Sequence, residues 1–276
     1  MQLNLAKGFK PFVYFFVLLT PVTSAIAVDS RYFEWNIQQS LGVVDSRWRE
    51  KNSSGVTHVK ESGNLPFFAT TLTASNPWGD FTLRHERLLG ERNYEGVTNQ
   101  GRAASSVSDV KNDALVFSAL KRINSSWAFG MALESVTMKR DIRTTVFAIG
   151  YPERYQYALG KLGGEYQLDI SSDLRLHTSA WLGRSFNESL LLSLPGFDPV
   201  QMKLGQGRTS EVNWRLIKSF PDSKWQGAIN LGYHLNQFKA GDAVTLLKSG
   251  RIAGSAQQPT WRHGTTQLNV EVSYGF

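Results

Sequence analysis

His177 and Ser179 stand two residues apart in the run Leu174-Arg175-Leu176-His177-Thr178-Ser179-Ala180. Residues i and i+2 of a strand share a face, so an imidazole and a hydroxyl would lie side by side. A base-activated nucleophile needs that pairing together with a route for the substrate. The same parity along other alternating runs collects charge on one face: Glu34, Arg84, Glu86, Glu134, Glu165, Arg175, His177, Glu211, Arg215, His234 and Glu271. Mixed-sign charge enclosed between strands favours a self-satisfying network, because unpaired buried charge is costly. The other use of such a lining is passage of a small polar solute. No metal site or cofactor is indicated: His58, His85, His177, His234 and His263 lack ligand spacing, and the chain has no cysteine. Gly160-x-x-Gly163-Gly164 falls within a strand pattern and is read as easing packing or curvature.

The elements that position these residues are strands. Four turn-like segments recur around positions 78, 124, 171 and 222, at intervals of 46, 47 and 51 residues. Each is flanked by alternating apolar runs, and long polar stretches separate the pairs. Expected strands are 31–42, 65–75, 80–89, 112–122, 127–138, 155–169, 174–184, 208–219, 225–238 and 263–276. Their lengths suit the roughly 9–11 tilted residues that cross a bilayer core as a strand. Phe67-Phe68 and Leu115-Val116-Phe117 are apolar on both faces and leave the inward side of their strands open. The layout predicts an all-β fold, a transmembrane antiparallel up-and-down β-barrel of ten strands. Twelve strands is the alternative if 144–149 or the apolar stretch 189–194 pairs as well.

Both ends of the sequence bear on compartment. Lys7 and Lys10 precede an apolar run at 11–19, and Ala25-Ile26-Ala27 follows with the small-x-small pattern of a cleavage site. Nine apolar residues are too few for a membrane helix, which needs about 20. Residues 1–27 are therefore expected to be a cleaved signal peptide and 28–276 the barrel, whose 28 basic and 23 acidic residues leave a charge of +5. Dispersed charge on an exported chain argues against a nucleic-acid partner. At the other end, Leu268, Val270, Val272, Tyr274 and Phe276 alternate with Asn269, Glu271, Ser273 and Gly275. Trp78, Phe81, Trp127, Phe129, Phe220, Trp225, Tyr274 and Phe276 all fall beside a short turn or this end, where an interfacial aromatic belt belongs.

That terminal Val270-x-Val272-x-Tyr274-x-Phe276 strand resembles the last strand of Gram-negative outer-membrane β-barrels, in which the assembly machinery reads an aromatic C-terminus. The resemblance implies an outer-membrane location, Tyr274 and Phe276 as the assembly signal, and that machinery as a partner. Hairpin layout and terminal strand are most similar to solitary, passenger-less autotransporter-like barrels. The His-x-Ser spacing resembles outer-membrane phospholipases and lipid A deacylases, but Ala180 replaces the asparagine those families carry next. Those enzymes also need the pair facing lipid, whereas parity puts His177 and Ser179 in the lumen. The ten-stranded omptin proteases match in strand count, yet their Asp-x-Asp and Asp-x-His pairs are missing.

The segments between hairpins hold the whole +5 charge: +1 in 43–64, 0 in 89–111, +2 in 139–154, −1 in 185–207 and +3 in 239–262. A basic outer rim suits the phosphates of outer-membrane lipid and lipopolysaccharide. The segment 189–200, Ser189-Leu190-Leu191-Leu192-Ser193-Leu194-Pro195-Gly196-Phe197-Asp198-Pro199-Val200, is too apolar for a solvated loop and is expected to plug the barrel mouth, the alternatives being strands extended above the membrane or a partner patch. The expected role is structural or surface-interacting, without catalysis and with the lumen filled or plugged. A narrow channel for small polar solutes is the second reading, and a lipid hydrolase using His177 and Ser179 the third.

Overall fold

Ten long strands run alternately up and down and close on themselves. The computed structural model describes residues 33–52, 54–97, 101–146 and 149–276; the expected signal peptide and its cleavage site lie outside the described residues. The barrel staves are β1 (Glu34–Lys51), β2 (Thr57–Asn76), β3 (Gly79–Val97), β4 (Ala103–Arg122), β5 (Trp127–Ile142), β6 (Pro152–Asp169), β7 (Leu174–Leu192), β9 (Gly207–Ser219), β10 (Trp225–Phe238) and β13 (Thr260–Gly275). A short β8 (Val200–Lys203) doubles back on the end of β7, and β11 (Ala243–Lys248) with β12 (Arg251–Gln257) forms a separate hairpin. All pairings are antiparallel, and β1 meets β13 along sixteen partner pairs to close the sheet. The twelve-strand alternative is not taken up: 144–146 forms no strand, and 189–192 lengthens β7.

The turns at the termini end have a local chemical cause. Asn76 Oδ1 accepts from the backbone N–H groups of Trp78 and Gly79 at 2.9 and 3.0 Å, and Asn124 Oδ1 accepts from those of Ser126 and Trp127 at 2.9 and 2.8 Å. An asparagine that bonds forward in this way substitutes for backbone in a tight turn. Rungs of paired residues lead from Leu41 through Phe68, Arg87, Asp113 and Thr137 to Gln156 on β6. The other way round they pass Val270, Ile229, Leu216 and Leu176 and return to β6 at Leu168, a stagger of twelve residues. Ten strands with that stagger tilt by roughly 40°.

Face parity resolves the ambiguous strands. Phe67 is 1% exposed and points inward, while Phe68 is 48% exposed and points out. Leu115 and Phe117 are outward and Val116 lines the interior. The outward apolar band spans Trp35–Val43 on β1, Phe68–Leu72 on β2, Phe129–Leu133 on β5 and Leu268–Val272 on β13. Gly163 sits inward under Trp181, where an added Cβ would lie 2.5 Å from the indole, so the glycine is a packing requirement.

The strands reach much further toward the loop end than the expected bounds. Segments 43–64, 89–111 and 139–154 are largely β-structure among the described residues. Their outward positions face water beyond the apolar band and so are polar, which disguised them as loops. Their inward positions hold Val44, Trp48, Val59 and Val110, all in the main core. The apolar segment 189–200 is likewise corrected. It continues β7 and turns back at Pro195-Gly196, with Phe197 N–H donating to the Leu194 carbonyl at 3.1 Å, rather than folding into the mouth as a loop. Leu190 pairs with Met202 in the β7–β8 ladder, and Leu190, Leu192, Met202 and Leu204 join the core, while Leu191 faces outward.

Candidate functional site

The barrel interior has two storeys. At the level of the apolar band lies a polar cavity of about 380 Å³ that extends to the termini end, where Thr73, Asp80, Thr82, Ser118 and Gln167 line it. Of the eleven residues singled out by parity, ten line this cavity: Arg84, Glu86, Glu134, Glu165, Arg175, His177, Glu211, Arg215, His234 and Glu271. Glu34 stands exposed at the start of β1.

Nearly every charge here has a partner within reach. Lys161 Nζ lies 2.7 Å from Glu134 and 3.0 Å from Glu211, so one cation on β6 bridges carboxylates on β5 and β9. Arg215 pairs with Glu271 and donates to Gln38 Oε1, and Asn269 Nδ2 donates to the other oxygen of Glu271 at 3.0 Å. Arg84 Nε donates to Glu86, and Arg175 pairs with Asp169 at the rim. His234 Nε2 contacts Thr209 Oγ1 at 2.8 Å and Asn236 Oδ1 at 3.2 Å.

His177 and Ser179 face the same cavity. The His177 Nε2 atom contacts Glu165 Oε2 at 2.9 Å, and Ser179 Oγ accepts from Asn213 Nδ2 at 3.4 Å. The histidine is thus oriented by a carboxylate on the neighbouring strand, with its imidazole turned to Glu165.

The upper storey is packed with buried aromatic rings. Trp48, Trp261 and Phe238 stack in a column, with centroids 4.3 Å apart for the indoles and 4.1 Å for Trp261 and Phe238. Tyr155 meets both indoles edge-on, and Tyr157 tilts against Phe238 at 4.9 Å. Beside this column Arg140 gathers three carboxylates: Glu50 at 2.7 Å, Glu61 at 3.2 Å and Glu153 at 2.6 Å. Trp48 Nε1 donates to Glu50, Tyr155 OH to Glu153 and Ser108 Oγ to Glu61. Arg92 adds a second cation, 3.5 Å from Glu61, and its Nη2 meets His263 Nε2 at 3.0 Å.

These groups lie beyond the apolar band, on the loop side of the spanning segments. Burial pushes the Glu153 carboxyl from its ordinary 4.5 up to about 7, with Arg140 pulling the other way and Glu50 adding to the rise. With Glu153 protonated, two carboxylates balance two guanidiniums. Burial, then the Arg92 charge, holds His263 well below 6.5, which matches an Nε2 that accepts from both Arg92 and Ser46 Oγ. Sequence reasoning missed Lys161, Glu50, Glu61, Arg92, Arg140, Glu153 and the aromatic column. The alternation Val44-x-Ser46-x-Trp48-x-Glu50 was the available signal.

Tyr274 and Phe276 sit at the closing seam. Phe276 N–H donates to the Trp35 carbonyl at 2.9 Å, the Phe276 carbonyl accepts from Trp35 N–H at 3.3 Å, and the Tyr274 ring rests 4.9 Å from Trp225.

No protein-family model matches the chain, and no curated protein sequence matches it. Among solved structures, the outer membrane protease OmpT from Escherichia coli aligns over 88% of this chain and 98% of its own, at 10% identity and a TM-score of 0.58. That likeness is one of fold: the chain has the architecture of an outer-membrane β-barrel. The β domain of the Bordetella autotransporter BrkA aligns over 88% and 100% of the two chains, at 10% identity and a TM-score of 0.46. The Pseudomonas putida toluene transporter TodX aligns over 92% of each, at 11% identity and a TM-score of 0.32. Neither of these two bears on the fold or the role.

Proposed function

We propose that this chain is an integral barrel of the Gram-negative outer membrane, with a structural or surface-interaction role and no through-passage for solutes. The observation that carries this reading is the filled cross-section above the polar cavity. Three stacked rings from β1, β10 and β13 and a buried Arg140 cluster occupy the lumen where a channel would have to run. Opening such a path would strip several aromatic side chains of contact and leave buried charges unpaired, each a cost of several kcal/mol. The autotransporter-like type belongs to this reading through its hairpin layout and terminal strand, with outer-membrane lipid and the barrel-assembly machinery as partners. His177 and Ser179 are assigned no catalysis, because the imidazole is engaged by Glu165 and the pair faces the lumen rather than lipid.

A narrow solute channel is the second reading, favoured by the charged cavity at the termini end. Liposome swelling separates the two. Vesicles carrying the purified barrel should swell in arabinose, glycine or glutamate no faster than empty vesicles. Swelling above that level for any of the three contradicts the sealed reading and supports the channel.

A further inference from the structure

The outward face of β4, β5 and β6 carries an arrangement that the interior does not explain. Lys111 pairs directly with Lys139, and Lys139 with Arg154, so three cations stand on one rung of adjacent strands. Like charges directly opposite one another destabilise a sheet. The same rung is flanked by Leu89 on β3 and Leu191 on β7, both partly exposed. It lies beyond the last large apolar outward side chains of these strands, Leu115, Leu133 and Leu162, on the side toward the loops.

The protein neutralises this rung only in part. Asp113, one outward position nearer the apolar band, is held by Arg87 at 2.6 Å, and Lys111 reaches it only at 3.6 Å. Glu91 and Asp109, one outward position beyond the rung, are both taken by Arg143, whose Nε lies 2.8 Å from Asp109. Asp141, beside them, makes no ion pair among the described residues, nor do Lys139 and Arg154. All of these residues except Asp113, Arg87 and Arg143 line one open groove across β3–β6. Neighbouring strands are about 4.8 Å apart, so the three cations span about 10 Å. That span fits more than one phosphate, and cations just above an apolar surface complement lipid phosphates whose chains lie on that surface.

We propose that Lys111, Lys139 and Arg154 bind the phosphates of a multiply phosphorylated lipid embedded in the outer leaflet, whose acyl chains cover the apolar face below. The proposal rests on the outer-membrane reading above, with the termini and short turns toward the periplasm and the long loops outside, and supplies a specific lipid site for the surface role. Leu89 and Leu191 border the headgroup, and Arg143 keeps Glu91 and Asp109 from competing for the cations.

The test uses the full barrel purified in dodecyl maltoside, titrated with diphosphoryl lipid A and followed by native mass spectrometry. Dephosphorylated lipid A and inorganic pyrophosphate are run in parallel. The combined Lys111→Gln, Lys139→Gln, Arg154→Gln variant should bind diphosphoryl lipid A at least tenfold more weakly, and Lys203→Gln with Lys248→Gln should bind as the parent does. Without lipid the triple variant should unfold at the same temperature as the parent or higher, since the cations repel one another. If it does not fold, Lys139→Gln alone should cost at least threefold in affinity. Unchanged lipid affinity in the triple variant, or in Lys139→Gln if only that folds, overturns the site. Dephosphorylated lipid A binding as tightly as the diphosphoryl form overturns the phosphate chemistry. Pyrophosphate binding as tightly as the lipid overturns the lipid assignment. The liposome-swelling result for the same variants reports separately on the sealed lumen.

Discussion

Trp48 on the first strand and Trp261 on the last stack at 4.3 Å with their planes 18° apart, inside the barrel and across the seam that closes it. Phe238 covers the opposite side of Trp261 at 4.1 Å. The ring column thus joins the two strands whose pairing closes the sheet. Replacing Trp261 by alanine removes the middle ring of the column and should cost about 3–5 kcal/mol. The urea midpoint of the detergent-solubilised barrel reads this directly. Trp225, half exposed at the termini end, is the control, and an equal shift on Trp225→Ala would contradict a load-sharing column.

Arg140 should be the most damaging single charge to remove. Its loss leaves Glu50 buried without a cation and Glu61 with only the longer Arg92 contact. Breaking a buried pair from one side costs about 3–5 kcal/mol, so Arg140→Met should lower the urea midpoint severely. Arg140→Lys should restore only part of it, because a single ammonium cannot reproduce the planar fork that meets carboxylates on three strands.

Glu153 supplies a pH dependence with a definite sign. Its carboxyl is raised to about 7 in the fold from an ordinary 4.5. Its contribution to stability is therefore complete below about pH 4.5 and is lost as pH rises to about 7, a change of about 3 kcal/mol. Glu153→Gln should remove that slope between pH 4.5 and 7 while keeping the fold. A parent and variant with parallel stability–pH curves would refute the assignment.

Lys161 tests the lower storey. Lys161→Met strands Glu134 and Glu211 on facing strands and should cost about 3–5 kcal/mol. Adding Glu134→Gln should return part of the loss, and a double-mutant cycle with a coupling of at least about 1 kcal/mol is expected. Strict additivity would mean that the 2.7 Å contact contributes nothing.

The fold and half the interior were legible because parity is a strong signal where one face meets lipid. Leu268, Val270 and Val272 are outward and Asn269, Glu271 and Ser273 buried, as alternation in the terminal strand implies. All ten cavity residues follow from the same parity. It failed above the apolar band, where outward residues such as Arg47, Glu91 and Lys139 are as polar as any loop. There no sequence signal links Trp48 to Trp261, because their contact joins residues more than 200 apart in the chain. Lys111, Lys139 and Arg154 were counted only as charge, since their alignment on one rung exists only once the register of three strands is known.

In the proposed sealed barrel the polar cavity ends blindly under the aromatic column. Single-channel recording in a planar bilayer tests it most directly. The parent barrel in 1 M KCl should show no discrete conductance steps, and the Trp48→Ala, Trp261→Ala double variant, if it folds, should show them. Steady unitary conductance from the parent barrel would contradict a sealed lumen.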